Sequence, residues 1–122
     1  STDSSEVAVD CAKALAKQSG AVVVVSGQTD YITDGTVVNT VENGNPMMAR
    51  VTGMGCTATA IVAAFAAVNK NVLEAATHGM AIMGISGEIA SRESAGNGSL
   101  QVNFLDTLYN LDGKDIKENI KK

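Results

Sequence analysis

The stretch Ala21-Val22-Val23-Val24-Val25-Ser26-Gly27 is a run of mostly β-branched residues closed by a turn pair. That is the pattern of a strand covered on both faces in a parallel sheet. Upstream, Val7, Cys11, Ala14 and Leu15 fall at helical spacing, with Asp3 as a cap, Glu6 three residues on and Gly20 as the stop. A helix feeding directly into such a strand is half of a β-α-β unit, which predicts an α/β fold with its preceding strand upstream of Ser1. On this reading the chain begins in mid-fold. Cys11 lies on the helical stripe and is expected to be a buried thiol acting as a small hydrophobe.

Downstream, Tyr31-Ile32-Thr33, the turn pair Asp34-Gly35 and Val37 to Val41 read as a β-hairpin. Glu42 to Pro46 is a loop, and Met47 to Val51 is expected to be a further strand leading into the turn Thr52 to Gly55. From Cys56 to Val68 nearly every residue is apolar or small, which predicts a central helix buried on most faces. Asn71 with Glu74 three residues on opens a long helix through Arg92, and its Gly79, Gly84 and Gly87 point to close packing. Ser99 is the expected cap of a helix Leu100 to Asn110, followed by a charged short helix or tail from Lys114. No internal repeat or linker divides the chain, so residues 1–122 read as part of one domain.

The sequence has 122 residues, 45% hydrophobic, with 12 Gly, no Trp and a net charge of -4. A chain of this size buries roughly two-thirds of its unfolded surface, and its small and branched apolar residues suit helix–sheet layers. The acidic balance offers no field for a nucleic-acid backbone. No run of about 18 apolar residues is available to span a membrane. A soluble, cytoplasmic protein is expected. Cys11 and Cys56 lack metal-ligand spacing and are either free thiols or one disulfide.

Chemistry points to Val51-Thr52-Gly53-Met54-Gly55-Cys56. Glycines at a turn into a helix expose amides at its positive end, which makes Gly53, Met54, Gly55 and Cys56 a candidate anion hole. Such donors match the charge of a phosphoryl group in flight; the same residues also fit a plain tight turn. Cys56 opens the helix, where a positive end favours an anionic group, so it is either a proton acceptor or a structural cysteine. Ser26 follows the first strand, where ligands of open α/β sheets bind, and its hydroxyl either meets a nucleotide phosphate or closes a Ser-Gly turn. His78 and Arg50 are left outside the site, as a packed or solvent-facing histidine and an exposed arginine.

The order Val-Val-Val-Ser-Gly-Gln-Thr-Asp-Tyr-Ile-Thr-Asp-Gly from Val23 to Gly35, the loop Asn43-Gly44-Asn45-Pro46 and Val51 to Cys56 closely resemble hydroxyethylthiazole kinase. Val62-Ala63-Ala64-Phe65 and Gly96-Asn97-Gly98-Ser99-Leu100-Gln101-Val102 extend the resemblance over essentially the whole chain. The resemblance implies the C-terminal half of a ribokinase-like α/β fold. It also implies transfer of the γ-phosphoryl of ATP to the hydroxyl of 4-methyl-5-(2-hydroxyethyl)thiazole, in thiamine biosynthesis and salvage, with Mg²⁺.

By position, Cys56 matches the family's catalytic cysteine, Gly53 a substrate-contacting glycine, and Ser26 a threonine that contacts ATP. Met54 stands where Thr or Ala is usual, keeping the backbone donors but reshaping the pocket. A trimer with sites between subunits is implied, or association with an N-terminal half that carries thiazole contacts and the metal surroundings; the metal ligands within this chain are unknown. Other ribokinase-like kinases and hydrate dehydratases are rival readings, although these usually carry Asp at the Cys56 position. A non-catalytic, self-associating fragment is the rival from another class.

Overall fold

The computed structural model describes the backbone of residues 2–121 and the side chains of residues 4–121. Helix α1 (Thr2–Ser19) leads into strands β1 (Val23–Val25), β2 (Asp30–Thr33) and β3 (Val38–Val41). A 3-10 helix (Pro46–Arg50) follows, then α2 (Met54–Val68), α3 (Val72–Arg92), α4 (Asn97–Asn110) and α5 (Gly113–Asn119). The cap expected at Asp3 and the last residue, Lys122, lie outside the described side chains.

The three strands form an antiparallel meander in the order β1-β2-β3, with Val24 opposite Ile32 and Ile32 opposite Asn39. The expected hairpin is present. Its connection is longer than the Asp34-Gly35 pair, because Thr33 pairs with Val38. Asp34 fixes it: Oδ1 accepts from the amides of Thr36 and Val37, each at 2.8 Å. Those donors, Val37 foremost, hold the exposed Asp34 carboxyl below its usual range. β1 is half-buried rather than covered on both faces, and among the described residues its only strand partner is the antiparallel β2. The parallel neighbour expected for it is not among them.

Helix α1 lays Ala12 and Ala16 towards the sheet, where alanine permits close approach. Val7, Cys11, Ala14 and Leu15 face away and are exposed. The expected burial of Cys11 is thereby corrected: the sheet took the alanine side of the helix, and nothing among the described residues covers the other. Both cysteines are free thiols.

The expected strand Met47–Val51 is a 3-10 helix instead. Asn45 is the reason: its side-chain oxygen accepts from the Met47 amide at 2.9 Å and Pro46 presets the first helical φ. The Met48 amide then donates to the Asn45 carbonyl at 2.9 Å, closing a tight turn.

The central helix is α3, not α2. No residue of α2 is fully buried, and Ala60, Ala63, Ala64, Ala67 and Val68 are exposed. Helix α3 instead separates two cores. Ile32 and Val41 of the sheet meet Ala76, Met80 and Ala81 on one side. Val51, Leu100 and Phe104 meet Met83 and Ala90 on the other. Burying these apolar groups stabilises each contact by about 1.5–3 kcal/mol per large side chain. Asn71 caps α3 as expected, accepting from the Glu74 amide at 3.1 Å. Helix α4 starts earlier than the expected cap at Ser99: Gly96 is the cap, and Ser99 Oγ reaches back to accept from the Ala95 and Gly96 amides at 3.0 and 3.2 Å.

Candidate active site

A cleft of about 780 Å³ opens where the ends of β1 and β2, the 42–46 loop, the start of α2 and the middle of α3 converge. Ser26, Gly27 and Asp30 line one wall, Asn43 to Pro46 another, and Met54, Gly55 and Ala58 a third. Three of the sequence-predicted site residues, Ser26, Met54 and Gly55, therefore come together. Gly53 and Cys56 stand on the adjoining turn, exposed and outside the lining. His78 and Arg50 also lie outside it.

The turn into α2 has the form an anion site requires. Gly53 is the cap residue at φ 83° and ψ 5°, a left-handed conformation that glycine adopts without cost. It has no side chain to cap the helix, and nothing lies within 4 Å of where its Cβ would stand. The amides of Gly55 and Cys56 fall in the first turn, where no intrahelical acceptor exists. The Met54 amide differs, because it makes a long 3.4 Å bond to the Val51 carbonyl. Thr57 ties the turn down, its amide and hydroxyl both meeting the Gly53 carbonyl at 2.9 and 3.1 Å.

Across the cleft, Asp30 Oδ1 accepts from the Gly27 amide at 3.0 Å, which shapes the loop that carries Ser26. Burial pushes the Asp30 carboxyl above its usual range, with the Gly27 hydrogen bond opposing it. The Asn43 to Pro46 wall is held from behind by Glu88 on α3. Glu88 Oε1 accepts from the Gly44 amide at 2.8 Å, and Asn43 Nδ2 lies 3.2 Å from both carboxylate oxygens. Lys121 Nζ stands 3.2 Å from the same carboxylate. Partial burial pushes the Glu88 carboxyl up, but the donors from Gly44, Lys121 and Asn43 outweigh it and hold the group below its usual range.

Four of the five methionines, Met48, Met54, Met80 and Met83, also line the cleft. Asp30, Asn43, Glu88 and Lys121 carry no role in the sequence reading. The one signal for them is the Asn43-Gly44-Asn45-Pro46 loop, which the reading quotes without assigning it a site. Among the described residues no three His, Cys, Asp or Glu side chains converge to hold a metal ion. No helix among them is long and apolar enough to cross a membrane.

Comparison with known proteins fits this arrangement. The model of the hydroxyethylthiazole kinase family matches residues 1–114. The hydroxyethylthiazole kinase of Leptospira biflexa is 52% identical over 119 residues, 98% of this chain and 45% of the relative. That of Nitratidesulfovibrio vulgaris is 54% identical over 114 residues, 93% of this chain and 43% of the relative. The solved structure of hydroxyethylthiazole kinase from Pyrococcus horikoshii matches with a TM-score of 0.91 at 34% identity, covering 98% of this chain and 46% of that one. The chain thus spans less than half the length of the relatives it matches, and over that span it has the expected α/β fold. On the family match through residue 114, which takes in the sheet, the cleft loops and the first four helices, the chain belongs to the hydroxyethylthiazole kinase family.

Proposed function

We propose that this chain forms part of a single kinase domain that moves the γ-phosphoryl of ATP to the hydroxyl of 4-methyl-5-(2-hydroxyethyl)thiazole. The observation that carries the reading is the Gly53 turn. It opens the first-turn amides of α2 beside a cleft already walled by Ser26. In this reaction the alcohol oxygen attacks the γ-phosphorus, the bond to the ADP oxygen breaks, and the hydroxyl proton passes to Cys56 Sγ. Of the Gly53 to Cys56 turn, the first-turn amides of Gly55 and Cys56 face the charge on the transferring phosphoryl, Gly53 contacts the alcohol, and the Ser26 hydroxyl contacts a nucleotide phosphate.

Mg²⁺ would travel with the ATP phosphates and neutralise their charge; among the described residues no group of three His, Cys, Asp or Glu gathers to hold it. We extend the reading to a cytoplasmic homotrimer, on the strength of the motif resemblance alone. Light scattering of the full-length protein tests the trimer.

A second reading, a piece that associates without turnover of its own, is favoured by the exposed apolar faces of α1 and α2. One experiment separates the two. Residues 1–122 are assayed alone, and again co-expressed with the N-terminal half of a family member, for ATP-dependent phosphorylation of hydroxyethylthiazole. We expect no turnover and self-association alone, and turnover with the other half. Lack of turnover by the assembled protein refutes the kinase reading.

A further inference from the structure

We infer that Glu88 is a positioning residue, which holds the Asn43–Pro46 wall of the nucleotide cleft through the Asn43 side chain and the Gly44 amide. Lys121, from the C-terminal segment, acts as a strap on the same carboxylate. The inference rests on the phosphotransferase reading, and it concerns residues to which that reading gives no role.

Glu88 does not line the cleft, whereas Asn43, Gly44, Asn45 and Lys121 do. What Glu88 touches is the wall itself: the Gly44 amide at 2.8 Å and Asn43 Nδ2 at 3.2 Å. Asn43 is buried and spends its whole side chain on this junction. Its Nδ2 also donates to the Asn119 carbonyl at 2.7 Å, and its Oδ1 accepts from the Lys121 amide at 3.0 Å. Lys121 Nζ completes the strap, 3.2 Å from Glu88 and 3.4 Å from the Glu42 carbonyl. Residues far apart in sequence thus converge on one carboxylate. The loop starts at a buried, fully bonded Asn and continues through Gly44 at φ 147°, and Glu88 is the side chain that takes both the Asn43 amide group and the Gly44 amide. A wall fixed before the ligand arrives costs less ordering on binding, so the junction bears on affinity rather than on the chemical step.

The test uses the full-length protein carrying this sequence, with ATP and hydroxyethylthiazole. Glu88→Ala should raise KM for ATP about tenfold, the equivalent of one charged hydrogen bond, and leave kcat within about twofold. Glu88→Gln keeps an oxygen for the Gly44 amide and should recover most of that loss. Hydrogen exchange at the Gly44 amide should quicken about tenfold in Glu88→Ala and little in Glu88→Gln. Should Glu88→Ala fail to fold, Glu88→Asp, whose shorter arm draws the carboxylate back from the Gly44 amide, should raise KM for ATP about threefold with kcat retained.

Unchanged KM in the folded variants, or equal loss in Glu88→Ala and Glu88→Gln, overturns the positioning role. Unchanged Gly44 exchange overturns the latch itself. A parent protein without ATP-dependent turnover overturns the underlying reading, and the assignment to a nucleotide cleft falls with it.

Discussion

The backbone carbonyl of Asn43 sits against Gly84, at the place where a Cβ on that turn of α3 would stand. The cleft wall and the central helix therefore meet backbone to backbone.

Gly84→Ala should consequently be among the most damaging single changes in the chain, destabilising by about 3 kcal/mol, since neither backbone can yield without moving the cleft loop. Gly87→Ala meets first the flexible thioether arm of Met48 and should cost about 1 kcal/mol. Chemical denaturation of the two variants under one condition gives the comparison. Equal losses would show that the 42–46 loop gives way as readily as a methionine side chain.

Gly53 and Gly55 lie two residues apart, both with open space around them, yet only Gly53 has a positive φ. Gly53→Ala should cost about 1–2 kcal/mol in stability, the strain of a left-handed Cβ. Gly55→Ala should be neutral or stabilising by up to about 1 kcal/mol, as alanine is in a helix. Turnover of the full-length protein should fall further in Gly53→Ala than its stability loss explains. A folded Gly53→Ala protein with parental specific activity removes the turn from the proposed site.

Cys56 is exposed, so its replacement should alter stability by less than about 0.5 kcal/mol. Any large effect on turnover is then chemical. Cys56→Ala should lower kcat on the order of 10²-fold or more, leaving ATP affinity near the parent's, whereas Cys56→Asp, still a proton acceptor, should retain turnover. Steady-state kinetics decide the matter, and parental kcat in Cys56→Ala would exclude the thiol from proton transfer.

Asp30 in the cleft and Glu88 behind its wall titrate with opposite consequences. Glu88 is held below its reference value of 4.5, so its contribution is fully present above that pH and disappears as pH falls through the folded value. Asp30 is raised above 3.8, so its charge opposes folding at neutral pH and is relieved on acidification through the raised value. Glu88→Gln should therefore cost on the order of 1 kcal/mol at neutral pH, with the difference closing below the Glu88 titration. Asp30→Asn, which retains an acceptor for the Gly27 amide, should be neutral or stabilising there, and its advantage should shrink in acid. Unfolding curves across the acid range would contradict the assignment if the two variants shifted in the same direction.

What could be read from sequence follows how local each cause is. The start of α3 was legible because Asn71 and Glu74 make their own cap, and the hairpin because Asp34 bonds its own turn. The stripe of Val7, Cys11 and Leu15 was legible as helical but not as exposed, since which face is covered depends on segments elsewhere. Met47–Val51 read as a strand because its apolar pattern outweighed one side-chain bond from Asn45. In the candidate site, Gly53 to Cys56 and Ser26 were singled out through local turn chemistry, and of these Ser26, Met54 and Gly55 line the cleft. The Asn43, Glu88 and Lys121 junction was not, because its bonds join residues that no short window contains together.

The methionine lining of the cleft also sets how the protein ages. Peroxide turns a thioether into a polar sulfoxide. Met48 and Met54 are half-buried while Met80 and Met83 are buried, so damage should advance from the rim of the cleft inward. Each lesion would wet an apolar wall beside the Gly53 turn before it reached the interior against the sheet. Oxidative wear is thereby concentrated where the ligand would sit.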